Sequence, residues 1–380
     1  MELRAGSKQT EVGVIPEDWE YLSLGELANT ITTGKLDANA MRPDGEYPFF
    51  TCAREVYRID KYAFDADALL VSGNGANVGY IHRYTGKFNA YQRTYVLLGF
   101  SIDTGFLRLQ LERGIQKRIR TEVNAGNTPY ILMGTLSGMG IASPSSGKEQ
   151  RAIAAVLSDA DALIASLDAL IAKKLDLKQA AMQQLLTGKT RLPGFTGEWQ
   201  VKTIEDAMDC FDNLRVPLND AQRSKMKGDI PYCGANGVVG TVNDYVVDDD
   251  IILIAEDGGY FDEFKTRPIA YRMIGKCWVN NHAHILKAKE GFDQGFLFYS
   301  LVHKDIQAFL ASGTRAKLNK SEMWKISMLA PTDPVEQTAI AEVLSDMDAN
   351  LAELEAQRDK ARAVKQGMMQ ELLTGRIRLV

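Results

Sequence analysis

At 380 residues, 45% hydrophobic and 24% charged, the chain has the composition of a soluble globular protein too long for one ordinary core, so two or three domains are expected. Its four cysteines, Cys52, Cys210, Cys233 and Cys277, are scattered without a CxxC pair, which argues against a disulfide framework or a structural zinc site and fits a reducing cytoplasm. No signal peptide or long apolar run is legible, so neither secretion nor membrane spanning is expected, and the net charge of −5 hides no strongly basic segment of the kind a free-standing DNA binder carries.

Residues 1–147 read as a first globular head. Asp67-Ala68-Leu69-Leu70-Val71 has the apolar run of a short buried strand, which enters the glycine-rich turn Ser72-Gly73-Asn74-Gly75-Ala76-Asn77-Val78-Gly79. Lys87-Phe88-Asn89 opens a further strand, Tyr91-Gln92-Arg93-Thr94 follows it, and the stretch from Arg108 to Arg120 reads as a helix. Residues 148–188 form one long helix on the spacing of Ile153, Leu157, Ala160, Ile164, Leu167, Ile171, Leu175, Leu177 and Leu185. Pro144 precedes it and Thr187-Gly188 closes it. About 38 residues give roughly 57 Å of helix.

Residues 189–335 read as a second head with the landmarks of the first. Trp199 matches Trp19, Gly228-Asp229-Ile230-Pro231 matches Gly45-Glu46-Tyr47-Pro48, and Asp250-Ile251-Ile252-Leu253-Ile254 matches the strand at 67–71. Lys276-Cys277-Trp278 matches Lys87-Phe88-Asn89, and Gly313-Thr314-Arg315 matches Gly126-Asn127-Thr128. Short strands mixed with a few helices predict an α+β head with a curved sheet. Residues 336–380 are a second helical region, with Ile340, Leu344, Met347, Leu351, Leu354, Val364, Met368 and Leu372 in its stripe.

The two helical regions are copies. Residues 149–192 align with 336–379 at a constant offset of 187, with 25 identities in 44 positions. Such long helices cannot bury their stripes against small heads over their whole length. An antiparallel coiled coil is therefore expected, with Ile153, Leu157, Ile164, Leu167 and Ile171 set against Ile340, Leu344, Leu351 and Leu354. The alternative is that each helix folds onto its own head.

Two unlike heads alternating with two matching helices make a pseudo-two-fold internal repeat that resembles the specificity subunit of type I restriction–modification systems. The most specific marks are Glu149-Gln150, Ala152-Ile153-Ala154 and Val156-Leu157-Ser158-Asp159 at the helix opening, and Lys178-Gln179, Met182-Gln183 and Leu185-Leu186-Thr187-Gly188 at its close, each repeated from Glu336 to Gly375. The Ile15-Pro16 and Trp19 entry to the first head adds to them. The resemblance implies target recognition domains at 1–147 and 189–335, and conserved helical regions at 148–188 and 336–380 that set head spacing and dock two methyltransferase subunits. It further implies double-stranded DNA as ligand, an asymmetric split target, and two restriction subunits beyond the methyltransferases. S-adenosylmethionine, ATP and Mg would be used by those partners, none by this chain.

Base-reading candidates follow from side-chain chemistry. Asn, Gln and Arg make bidentate contacts to base edges and carboxylates accept from cytosine. This singles out Asn74, Asn77, Gln92, Arg93 and Thr94 in the first head, and Asp257, Tyr260, Asn280, Asn281 and His282 in the second. Turns packed on the sheet and exposed strand ends are the competing readings. Arg113, Lys117 and Arg120 share a helix face, Arg315, Lys317 and Lys320 form a similar group, and both are phosphate-contact candidates against a plain solvated surface. His282 and His284 alternate along a strand without an apparent third ligand, so no metal is expected.

Gly73 to Gly79 is not a dinucleotide fingerprint, and Gly188-Lys189-Thr190 lacks the upstream glycine of a phosphate loop. No Asn/Asp-Pro-Pro-Tyr/Phe motif of an amino-methyltransferase is present. The expected role is therefore non-catalytic DNA recognition. A coiled-coil scaffold without DNA specificity, or the recognition subunit of a solitary methyltransferase, are the alternatives.

Overall fold

The computed structural model describes residues 6–122, 129–311 and 316–379, with the side chains of 121 and 122 excepted. The chain divides into two compact units, Met1–Asp168 with Ala356–Val380, and Ala169–Glu355. Each unit thus takes one head, the opening of one long helix and the close of the other.

In the first unit, six strands pair in the order Ala28–Thr33, Thr94–Phe100, Phe64–Ser72, Ile81–Ala90, Tyr47–Phe50, Tyr57–Ile59. Only one junction is parallel, where Phe49 faces Asn89 and Phe50 faces Ala90. The apolar run at 68–71 is buried on both faces because side chains alternate along a strand. Leu69 and Val71 pack under Leu107, Leu111, Ile115 and Ile119 of the helix Thr104–Glu122, while Ala68 and Leu70 meet Phe50, Phe88 and Val96 on the opposite face.

The second unit repeats this order with Met208–Cys210, Ala283–Ala288, Val247–Ala255, Ala270–Val279, Ile230–Gly234 and Gly237–Val242. Its parallel junction pairs Tyr232 with Trp278 and Cys233 with Val279. Ile252 and Ile254 face the cluster of Phe296, Leu297 and Met323, and Ile251 and Leu253 face that of Cys233, Cys277 and Ile285. The expected strand starts at Lys87 and Lys276 are corrected: both residues lie near the ends of ten-residue strands. Gly86 (φ +125°) and Gly275 (φ +87°) sit inside those strands as local distortions, where the sequence suggested a boundary.

The long helices are Gly147–Leu185 and Pro334–Leu372, 39 residues each. Their opening turns belong to head cores. Ile153 and Leu157 are buried with Trp19, Phe106, Leu109, Leu372 and Leu373, and Ile340 and Leu344 are buried with Ile204, Phe296 and Leu185. For these turns the alternative reading, packing on the head, holds together with the pairing. Further along, the partner helix takes over. In the first unit, Lys365 binds Asp161 at 2.5 Å and Arg362 binds Asp168 at 2.9 Å; in the second, Lys178 binds Asp348. Asp161 and Asp348 are 187 apart, as are Lys178 and Lys365, so one pair is the repeat image of the other and the helices run antiparallel within each unit. Leu167, Ile171 and Leu351 are buried in the stripe, whereas Ile164 and Leu354 are only half-buried.

A buried clamp closes each unit. Glu149 accepts from Arg378 Nε at 2.6 Å and Nη2 at 2.8 Å, and Asp18 also binds that guanidinium. Glu336 accepts from Arg191 at 2.5 and 2.6 Å. Each arginine also lies over a tryptophan, Trp19 or Trp199. Gln150 and Gln337 complete the parallel, each accepting from the N–H of the aspartate that caps the head helix, Asp103 or Asp293.

Candidate nucleic-acid interface

Loops distant in sequence converge at one end of the first sheet. Gly73 N–H donates to the Arg93 carbonyl at 2.9 Å, Ile131 N–H to the Gly73 carbonyl at 2.8 Å, and Gly75 N–H to the Pro129 carbonyl at 3.0 Å. Gln92 N–H donates to the Leu36 carbonyl at 2.9 Å, and the Asn77 side-chain amide donates to the Cys52 carbonyl at 3.1 Å. The 34–37, 51–54, 72–80, 91–94 and 129–131 segments therefore form one surface.

That surface brings Asn74, Asn77, Gln92 and Arg93 together but not Thr94, which is fully buried as the first residue of its strand. Thr94 is thus corrected from reader to core. Arg93 is exposed with no side-chain hydrogen bond or ion pair to the described residues, while Gln92 Nε2 donates to Asp37. The surface also carries Lys35, Arg54, Tyr80 and Tyr130, all exposed, with Arg54 over the Tyr80 ring at 5.4 Å. No sequence signal marked these four, since each lies in a separate loop.

The second unit uses the same backbone frame. Glu256 N–H donates to the His282 carbonyl at 2.8 Å and Leu318 N–H to the Glu256 carbonyl at 2.7 Å, and Asp257 bridges to Lys317 in the backbone ladder. The side chains differ in kind. Glu256 is bound by Arg215 and by Lys317 at 2.9 Å, and Asp257 accepts from His282 Nδ1 at 2.7 Å. Burial would raise the Glu256 carboxyl, but its bonds to Lys317 and Arg215 hold it below the usual range. Tyr260 is half-buried beneath the Arg267 guanidinium, Asn281 is exposed, and Asn280 is buried with its Oδ1 accepting from His282 N–H, which corrects its place among the readers.

The basic candidates differ in what they meet. Arg113 and Lys117 line a cavity of about 310 Å³ with Glu11, Tyr21, Gln110 and Met139, none of them from the loop surface. Partial loss of hydration and the like charge of Arg376 push the Arg113 guanidinium below its usual value. Arg120 is exposed; Lys317 is spent on Glu256; Lys320 lies over the Trp324 ring; Arg315 lies outside the described residues.

The expectation that His284 lacks further ligand-type neighbours is also corrected. Cys210, Asp212 and His284 place Sγ, a carboxylate oxygen and a ring nitrogen within 4.8 Å of one another. His282 is not among them, because it lies in the turn before the strand and faces Asp257. Burial alone would lower the His284 imidazole, yet bonds to Asp212, Cys210 and the Leu318 carbonyl carry it up to about 9.

The model of the type I restriction modification DNA specificity domain matches this sequence twice, over residues 16–175 and 196–361. The chain belongs to this family. The EcoDI specificity subunit of Escherichia coli is 49% identical over 157 residues, which are 41% of this chain and 33% of that protein. A putative type I specificity subunit from Haemophilus influenzae is 34% identical over 162 residues, 43% of this chain and 40% of that one, so the chain matches well under half the length of either relative. The crystal structure of the S subunit from M. genitalium superposes with a TM-score of 0.72 at 18% identity, covering 98% of each chain, which supports the α+β fold with its paired long helices. No described helix is long and apolar enough to cross a membrane.

Proposed function

We infer that this chain is the DNA-recognition subunit of a type I restriction–modification complex. Each head reads one half of a bipartite, asymmetric site on double-stranded DNA, and the paired long helices dock two methyltransferase subunits and, through them, the restriction subunits. Methyl transfer and ATP-driven cleavage belong to those partners, with their S-adenosylmethionine, ATP and Mg, and this chain is not an enzyme.

The observation that carries this reading is the common loop frame bearing unlike side chains. Gly73 and Glu256 occupy the same hydrogen-bonded position, but one surface offers amides, Arg93 and tyrosines and the other a network of acids, arginine, lysine and histidine. One fold presenting two chemistries fits two different half-sites. The modest charge of the heads fits a subunit whose partners supply much of the phosphate contact.

The test is to replace residues 189–335 by a different head and sequence the methylated bases in a host carrying the hybrid. One half-site should change and the other persist. Change in both halves refutes the modular reading. A gel shift with the methyltransferase present that shows no sequence preference would favour a protein scaffold instead.

A further inference from the structure

We propose that Cys210, Asp212 and His284 form a transition-metal site, suited to zinc, beneath the loop cluster of the second unit. Thiolate, imidazole and carboxylate are the donors that select zinc and its neighbours, and three protein ligands with one open position is a common zinc arrangement. The three donor atoms lie within 4.8 Å of one another. Donors around a tetrahedral zinc ion sit about 3.2–3.8 Å apart, so only a small adjustment of side chains separates the two arrangements.

The first unit shows what the histidine adds. Tyr95, opposite Val71 in the central strand, donates its hydroxyl to the Ile131 carbonyl at 2.7 Å and so ties the last loop segment to the sheet. His284, opposite Ile254 at the matching position, ties down the Leu318 carbonyl through Nε2 at 2.9 Å. Tethering the loop therefore needs only a tyrosine. The imidazole has a second nitrogen, and Nδ1 faces Asp212 Oδ2 at 2.7 Å, beside Cys210. A ring whose far nitrogen donates to a backbone carbonyl is oriented as metal-binding histidines are, with the ligating nitrogen left for the ion.

The remaining surroundings are compatible. Asp212 is held by the Ile285 N–H on its other oxygen, at 3.1 Å, and Arg215 lies 3.2 Å from Oδ2 while also binding Glu256. Cys210 is half-buried and lines an open cavity of about 620 Å³ with Met208, Phe211, Asn213 and Trp324, so the cavity reaches the cysteine end of the cluster. On binding, the ion replaces the proton between Nδ1 and Asp212 and that of the Cys210 thiol, and both protons pass to solvent. The ion would then link the edge strand, through His284, to the Leu318 segment, whose N–H in turn donates to the Glu256 carbonyl.

The full-length chain, stripped with chelator, is titrated with Co²⁺. One equivalent should give the visible spectrum of a tetrahedral ion and a thiolate-to-cobalt charge-transfer band, both erased by one equivalent of Zn²⁺. Cys210→Ser should lose the charge-transfer band, and His284→Tyr should abolish binding while keeping the Leu318 tether by the arrangement of the first unit. Wild type should gain thermal stability with Zn²⁺ and the folded His284→Tyr variant should not. A folded wild type that gives no tetrahedral cobalt spectrum overturns the proposal. So does a spectrum that survives both substitutions, which would assign the thiolate to Cys52, Cys233 or Cys277.

Discussion

Arg378→Ala tests the clamp that closes the first unit. Glu149 is 2% exposed and its two oxygens accept from Arg378, so truncation leaves a carboxylate buried without its counter-charge. Breaking a buried pair from one side costs about 3–5 kcal/mol. The Arg378 side chain keeps 29% of its surface, which favours the lower end, and the bond to Asp18, 63% exposed, adds less than about 1 kcal/mol. We expect the first unit to lose about 3 kcal/mol, a fall of roughly 6–12 °C in Tm for a unit of its size. Of the four tryptophans only Trp19 lies in the first unit, so 19F NMR of fluorotryptophan-labelled chain, read through urea, follows that unit separately. Adding Glu149→Gln to Arg378→Ala should restore part of the loss, because the unpaired charge is gone. A loss under about 0.5 kcal/mol, or a double variant less stable than Arg378→Ala alone, would refute the reasoning.

Gln110 bridges the Ala142 and Leu373 carbonyls at 2.8 Å each from a buried position, so Gln110→Ala should cost about 2–3 kcal/mol by denaturant melt. Ser300→Ala, at the matching helix position in the second unit, should cost under about 0.5 kcal/mol, since that hydroxyl has no partner among the described residues. On the proposed function, Arg93→Ala should leave stability unchanged and weaken binding of the assembled methyltransferase to its site by about tenfold; equal anisotropy titrations for both proteins would exclude Arg93 from the interface. Burial opposes ionisation of Asp67, but bonds from Thr104, Arg83 and Thr85 hold its carboxyl below the usual value. Its stabilisation is therefore complete above about pH 4 and fades as pH falls through the lowered value, so Asp67→Asn should flatten the acid limb of the Tm–pH curve, and an unchanged limb would count against it.

The sequence by itself determined what repeats at short range. Helical stripes of period near 3.6 marked both long helices, the apolar runs at 68–71 and 251–254 marked the central strands, and the offset of 187 declared two equivalent halves. These features were legible because each is written in neighbouring residues. Only the tertiary structure decided which polar groups are free. Arg378 meets Glu149 across 229 residues, Arg191 meets Glu336 across 145, and neither pairing leaves a periodic trace, although the repeat already contained both arginines. Thr94 and Asn280 carry side chains suited to base edges, yet strand pairing and the loop frame bury them. Cys210 and Asp212 reach His284, more than 70 residues away along the chain, because the edge strand ending at Cys210 pairs with the strand of His284 and the turn that follows brings Asp212 alongside. Local patterning fixes an element's type and buried face, whereas a polar group's partner depends on which distant segments the fold draws beside it.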